Sequence, residues 1–502
     1  MIFINIADFI FDKNKDNMDE RALLYVDRLG REESWSYKDL DYMSNRVANL
    51  LKSHGIKKGD RVFVYLDRSP ETYFFILGIF KIGAIYCPLF PSFGPDAVRE
   101  RFSDCQGSLI VAEAKLSENV EGLPSILVDR EGEFRRRLLS MSEDFESVKM
   151  SKEDYAIIHY TSGTTGKPKG AVHCHGAIMS HWKTSKDIVG LRPGLKCWFT
   201  ADPAWVTGTS YGILGSLSTG ADILVAEPGY RMNQVLGLLD KYKIEIWYTA
   251  PTLLRMLMRE DPAKAKEYDL SHLKKIFSAG EALNPEVCRW AEDNLGLTVY
   301  NHWFQTETGS IIIGYDGTFP KKGYDTMGKV LVDVEAEILD DNFNPMPPGG
   351  KGHLALKPSW PSMFLNYWGN PEKYAEKFKN GWYITGDLAY KDEEGYFYYL
   401  SREDDVINTA GHLVTPFEVE SVLMSHPSVA EVAVKGMPDK LMGEAVKAFV
   451  VLKSGYEPGP QLEIEYRSLV RNRVSPFASP QEIEFMDELP KTETGKIIRR
   501  IL

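Results

Sequence analysis

Cysteine is scarce in this chain: Cys87, Cys105, Cys174, Cys197 and Cys288 are all there is in 502 residues, and no two form a C-x-x-C pair. An odd, scattered set excludes a disulfide framework and a cysteine-based zinc site, and points to reduced thiols in a cytoplasmic setting. Basic charge is not in excess either, since 59 Lys and Arg stand against 71 Asp and Glu, a formal net charge of -12. Without a basic stripe to follow a phosphate backbone, nucleic acid is excluded as a partner. An anionic ligand must then be held by local donors against the overall field. Long unbroken apolar runs are missing too. The most apolar stretch, residues 73–90, has Lys81 in its middle, glycines within it and Pro88 near its end. That reads as a buried helix followed by a strand, and no transmembrane segment is expected. The opening residues lack a basic n-region and a small-residue cleavage site, so no secretory leader is expected. Repeats and low-complexity segments are also absent.

What is present is a balanced globular composition, 43% hydrophobic and 26% charged. The length exceeds one ordinary core, so a large domain plus a smaller one is expected. Ser36 and Asp39 have capping-box spacing ahead of Leu40, Met43, Val47, Leu50 and Leu51, which share one helical face, and Gly55 ends the pattern. A buried-type strand follows at residues 61–66. Similar apolar runs recur at 109–112, 126–128, 223–225, 244–248, 275–277 and 297–300. The alternation defines an α/β chain with largely parallel sheets. Several of these strands run into polar, glycine-bearing segments (249–252, 278–281 and 301–309), the places where open α/β sheets bind ligands. A small β subdomain is expected around 328–399, and the pattern restarts after Arg402 as a unit of domain size.

The strongest local signal is Tyr160-Thr-Ser-Gly-Thr-Thr-Gly-Lys-Pro-Lys-Gly170, placed after an apolar run. Its glycines let backbone N–H groups approach a phosphate, and its hydroxyls and lysines add donors. The spacing does not meet the Walker A pattern, so an ordinary P-loop NTPase is disfavoured. This segment resembles the phosphate-binding signature of the adenylate-forming superfamily, which includes acyl-CoA synthetases, peptide-synthetase adenylation domains and luciferase. Five further segments resemble that family in order: Trp35 to Leu40, Gln305-Thr-Glu-Thr-Gly309, Thr385-Gly-Asp387, Arg402 to Ile407, and Pro490 to Lys496. Segments 201–208, 248–252, 280–285 and 303–309 narrow the resemblance to AMP-forming acetyl-CoA synthetases and their short-chain relatives.

The resemblance implies residues 1–401 as a large N-terminal domain of layered α/β sheets carrying the small β subdomain. Residues 402–502 would be a small mobile α+β C-terminal domain turning at Asp404. It implies ATP, Mg²⁺ and coenzyme A as ligands. Thr161, Ser162, Gly163, Thr164, Thr165 and Gly166 would cradle the phosphates with Lys169 nearby. Gly280, Glu281, Ala282, Asn301, His302, Trp303, Phe304, Gln305 and Thr306 would surround the nucleotide, Asp387 and Arg402 would take the ribose, and Glu307 would hold Mg²⁺. Lys496 would be the mobile catalytic lysine, acting with Thr161 and Glu307. Trp205, Val206, Thr207, Ala279 and Phe304 would form the acyl pocket.

The implied chemistry needs no His or Cys nucleophile, because a carboxylic acid is already ionised at neutral pH and can attack the α-phosphorus directly. The obstacle is anion against anion, which cations and backbone donors offset. This sequence departs from the pattern at Phe304 and Ala279, where acetyl-CoA synthetases usually have Trp and Val. It departs again at Leu413 and Ser401, where Arg and Gly are usual. The first two changes enlarge the pocket floor. The expected reaction is therefore acyl-CoA formation from a short-chain acid. The alternatives are a CoA ligase for medium-chain or cyclic acids and an adenylating enzyme that loads a separate carrier protein.

Overall fold

The computed structural model describes residues 3–161, 168–227, 231–317, 322–410, 412–439, 442–491 and 497–502. Ser36 caps the helix Tyr37–Ser53: its hydroxyl accepts from Asp39 N at 3.1 Å, and the Asp39 carboxylate accepts from Ser36 N at 2.8 Å. The apolar stretch becomes the helix Pro70–Lys81, buried on every side, and the strand Ile85–Pro88. Lys81 is accommodated there because its ammonium meets the Asp41 carboxylate and the Asn45 side-chain oxygen, so the buried charge is paired. Among the described residues no helix is long and apolar enough to cross a membrane.

These two helices fill the space between two sheets. One runs, in spatial order, Asn366–Tyr367, Lys169–Cys174, Tyr155–Thr161, Ile85–Pro88, Arg61–Tyr65, Leu109–Glu113 and Ser125–Val128. Its last four strands are parallel to one another. Tyr155–Thr161 and Lys169–Cys174 instead form an antiparallel hairpin, with Thr161 opposite Lys169. The second sheet has the parallel core Val299–Trp303, Lys275–Ser278, Ile246–Thr249, Lys196–Phe199, Asp222–Ala226 and Arg21–Val26. One core joins the two, Val62 and Tyr86 on one side meeting Ile223, Ile246 and Phe277 on the other through Phe74 to Phe80.

A third, antiparallel sheet contains Ala336–Leu339, Lys351–Leu356, Trp382–Lys391 and Phe397–Arg402. The fourth holds His412–Val414, Ile407–Thr409, Gly443–Leu452, Val429–Asp439 and Glu482–Phe485, and packs on the helices Pro416–Met424 and Pro460–Arg473 around a core of its own. One element was not legible in advance: Gly208–Gly215 is π-helical. Its glycines are there for closeness, since a Cβ on Gly208 would sit 2.0 Å from the Asp202 carbonyl oxygen, and one on Gly215 would sit 2.0 Å from Ser185 Oγ.

Candidate active site

The hairpin of Thr161 and Lys169 sits at the edge of the first sheet, and the strand Asn366–Tyr367 extends it by pairing with Val172 and Ala171. Trp368 N donates to Gly170 O at 2.7 Å and Phe364 N donates to Glu307 O at 2.9 Å. The second bond brings the segment after the strand Val299–Trp303 against the hairpin. Tyr367 completes the joint, its hydroxyl donating to Glu307 Oε1 at 2.7 Å. Burial raises the Tyr367 pKa and the Glu307 charge adds to it, so the phenol stays protonated and remains a donor.

The segment around Glu307 is fixed from beneath. Trp360 Nε1 and Ser362 Oγ both donate to Thr308 O, at 2.8 and 2.9 Å. The His181 ring donates through Nε2 to Gly309 O at 3.1 Å, and His173 donates through Nδ1 to Ser362 O at 3.0 Å. Gln305 reaches sideways, its Nε2 donating to Asp387 Oδ2 at 2.9 Å and to Thr385 O at 3.1 Å. Trp303 Nε1 donates to the same Asp387 oxygen at 3.0 Å, and Arg402 pairs with the other at 2.9 Å. The buried Asp387 carboxylate is thereby oriented by three donors from three strands or loops.

The structure thus brings together Thr161, Lys169, Trp303, Gln305, Glu307, Asp387 and Arg402. Ser162 to Gly166 and Lys496 lie outside the described residues. Gly280 takes φ +95°, a conformation that favours glycine, and has open space where a Cβ would stand. Glu281 is engaged by the buried Arg255 and accepts from Thr252 Oγ1 at 2.7 Å, so its carboxylate is a structural anchor beside Ala282. His302 is placed with its ring in the core. Its ring stacks on Phe277 at 4.6 Å, Nε2 donates to Tyr315 O at 3.0 Å, and the side chain is a core group facing away from Asn301 and Trp303. Adjacent strand residues point to opposite faces, which makes the division unavoidable.

Of the residues expected at the acyl pocket, Ala279 and Val206 are buried and Thr207 immediately precedes the π-helical segment. Phe304 meets Tyr211 edge to face at 5.5 Å, and Trp205 meets Phe90 at 4.9 Å. Asp404 lies in the short turn Glu403–Asp405 that leads out of the third sheet, and Leu413 is 71% exposed. Sequence reasoning missed Tyr367 and Arg255, whose roles arise from pairing across sixty and twenty-six residues. Among the described residues no group of three His, Cys, Asp or Glu could hold a metal ion.

The AMP-binding enzyme family model matches residues 10–368, and that of the AMP-binding enzyme C-terminal domain matches 418–496. The chain belongs to the AMP-binding enzyme family. It is 41% identical to an acetyl-coenzyme A synthetase of Bacillus subtilis (strain 168), covering 99% of this chain and 90% of that one. It is 35% identical to acetyl-coenzyme A synthetase 2 of Pseudomonas aeruginosa, covering 99% and 84%. Its fold matches an anthranilate CoA ligase, AuaEII, in complex with anthranoyl-AMP, with TM-score 0.91 and 27% identity over 100% of this chain and 97% of the other.

With Glu307 held by Tyr367, Glu307→Gln is expected to slow acid activation and flatten its Mg²⁺ titration while the fold stays intact, since an amide oxygen is a poorer ligand for a hard cation. Tyr367→Phe should raise the Mg²⁺ concentration needed for half-maximal rate by several-fold with a smaller change in kcat. Unchanged Mg²⁺ curves in both variants would overturn the expectation that Glu307 holds Mg²⁺.

Proposed function

We propose that this chain is an AMP-forming short-chain acyl-CoA synthetase, converting a carboxylic acid, ATP and coenzyme A into acyl-CoA, AMP and diphosphate through an acyl-adenylate. The observation that carries the reading is the convergence of three segments: the Thr161–Lys169 hairpin, the Glu307 segment joined to it through Tyr367, and the Asp387–Arg402 pair joined to that segment through Gln305. Asp387 would accept from the ribose hydroxyls, its charge oriented by Trp303, Gln305 and Arg402. Thr306, half-buried beside Glu307, would donate to the α-phosphate. One protein carboxylate, with no cluster of further ligands among the described residues, suits Mg²⁺, which takes its other positions from phosphate oxygens and water. When bound, the ion would neutralise phosphate charge. The cysteines among the described residues are all free, in keeping with a cytoplasmic location.

We take residues 402–502 as the mobile domain, with Asp404 as its pivot. Beyond the Arg402–Asp387 pair at its start, its side-chain polar links to the rest of the chain among the described residues are Arg259 to Glu431, Asn284 to Ser421 and Lys351 to Glu418, each at 3.2 Å, and His353 to Glu403 at 3.9 Å. Small polar contacts of this kind permit relative motion. The acid should attack the α-phosphorus while Lys496 offsets the charge, after which rotation would admit the CoA thiol to the anhydride.

Acid-dependent exchange of labelled diphosphate into ATP, followed by CoA-dependent AMP release, tests the reaction; AMP release that needs a carrier protein instead would overturn it. With Ala279 and Phe304 at the pocket floor, propionate and four- or five-carbon acids should match or exceed acetate in kcat/KM. One methylene in an apolar pocket is worth about 1–3 kcal/mol, enough for a ten-fold shift. Phe304→Trp with Ala279→Val should return preference to acetate, as added atoms fill the space. A wild-type enzyme strongly favouring acetate would mean that other side chains close the floor. The same floor gives weight to a cyclic-acid ligase, since the fold matches anthranilate and benzoate CoA ligases, and a screen of acids from two to eight carbons separates the two.

A further inference from the structure

We propose that Lys377 is a further phosphate-binding residue of this cleft, donating to the β- and γ-phosphates of ATP and to the diphosphate that leaves. The proposal rests on the ligase reading above and deepens it. Lys377 ends the short helix Pro371–Glu376, immediately before the strand Phe378–Lys379. Its backbone is fixed, Lys377 N donating to Tyr374 O at 3.1 Å and Ile384 N donating to Lys377 O at 2.7 Å. The side chain turns inward over Gly386. A Cβ built on that glycine would lie 3.2 Å from Arg402 Nη2 and 3.7 Å from Lys377 Nζ, so both cations stand over one point beside Asp387.

The charges surrounding the ammonium are those of the site itself: Glu307, Arg402, Lys169 and Asp387. The nearby carboxylates are engaged elsewhere. Asp387 takes Arg402, Gln305 and Trp303; Glu307 takes Tyr367; Glu376 takes Lys373 at 2.8 Å. Among the described residues the Lys377 ammonium makes neither a hydrogen bond nor an ion pair, although the residue is half-buried. Burial lowers its pKa; the Glu307 charge and, more weakly, Asp387 oppose this, while the Arg402 and Lys169 charges add to it. A half-buried cation without a counter-ion is unfavourable in itself. Lys169 adds a second, its Nζ 5.8 Å from the ring of Tyr367, the residue that holds Glu307. In a chain of net charge -12, gathering Lys169, Lys377 and Arg402 around two engaged carboxylates leaves a local positive excess that suits a polyanion.

In the reaction a carboxylate oxygen forms a bond to the α-phosphorus while the bond from that phosphorus to the bridging oxygen breaks. The electron pair departs on diphosphate. Lys377 keeps its proton throughout and offsets the charge that accumulates there.

The test is calorimetric binding of α,β-methylene-ATP, inorganic diphosphate and AMP to wild type, Lys377→Met and Lys377→Arg, with Lys379→Met as an exposed neighbouring control. Losing a charge-assisted hydrogen bond should weaken α,β-methylene-ATP and diphosphate by about 10- to 100-fold. AMP, which lacks both phosphates, should change by less than about two-fold, Lys377→Arg should recover part of the loss, and Lys379→Met should resemble wild type. Unchanged diphosphate affinity in Lys377→Met would overturn the proposal. So would an equal loss for AMP, which would place the lysine at the α-phosphate or make it purely structural. A wild-type protein that binds these nucleotides yet forms no acyl-CoA would sink the ligase reading while leaving the result for Lys377 standing.

Discussion

Lys496→Ala is expected to slow acyl-adenylate formation by about 10²- to 10³-fold, the usual cost of removing one charge-stabilising donor from such a site. The same variant should form thioester from supplied acyl-adenylate at close to the wild-type rate. The asymmetry follows from the charge that each step develops. Adenylation sets a carboxylate against a triphosphate, so a cation between them is needed; the second step starts from a neutral carbonyl already joined to phosphate. Lys496 itself lies outside the described residues, but the chain is held on both sides of it. Lys491 Nζ pairs with Glu431 at 2.7 Å, Lys491 and Ile497 bridge antiparallel, and Ile498 N donates to Pro490 O at 2.9 Å. Diphosphate exchange measures the first step and single-turnover thioester formation the second. An equal fall in both would show that the two steps share one arrangement of the C-terminal residues.

Much of the fold was legible because its signals are local. The Ser36–Asp39 cap, the helical face beginning at Leu40 and the apolar strands each depend on residues a few positions apart, and each appears where expected. Lys81 looked like a flaw in an apolar stretch because its partners, Asp41 and Asn45, are some forty residues away on another helix. The site divides in the same way. Motif resemblance pointed to Glu307, Asp387 and Arg402, yet it could not supply Tyr367 or Lys377, which reach the cleft only because Asn366–Tyr367 pairs with Val172 and Ala171, and Gly386 packs beneath Lys377. His302 shows what a contiguous motif leaves unsaid: alternation along the strand Val299–Trp303 sends its ring into the core, which the motif alone does not reveal.

Acid should unfold this protein well above the range of its carboxylates, and the cause is a set of buried histidines. Burial pushes His159, His175 and His181 down to about 3, and His173 and His302 down to about 4. Each ring is therefore neutral in the folded state. His175 Nδ1 accepts from Ile6 N at 3.2 Å, while His173, His181 and His302 donate to carbonyl oxygens. In the unfolded chain the same rings bind protons below about pH 6.5. Between there and pH 3 to 4 the unfolded state holds more protons, so stability is lost as the pH falls. At pH 5.5 each histidine costs about 1.4 kcal/mol, and together they approach the whole net stability of an ordinary domain. Asp8, raised by burial, works the other way, but it is one group against five. His173 and His181 also support the segment bearing Glu307, so adenylation should fail along with the fold. Denaturant midpoints at pH 7.5, 6.5 and 5.5 should drop steeply over the last step, and His181→Gln should flatten the slope by about one proton. A midpoint unchanged down to pH 5.5 would mean that these rings already carry their protons in the folded protein.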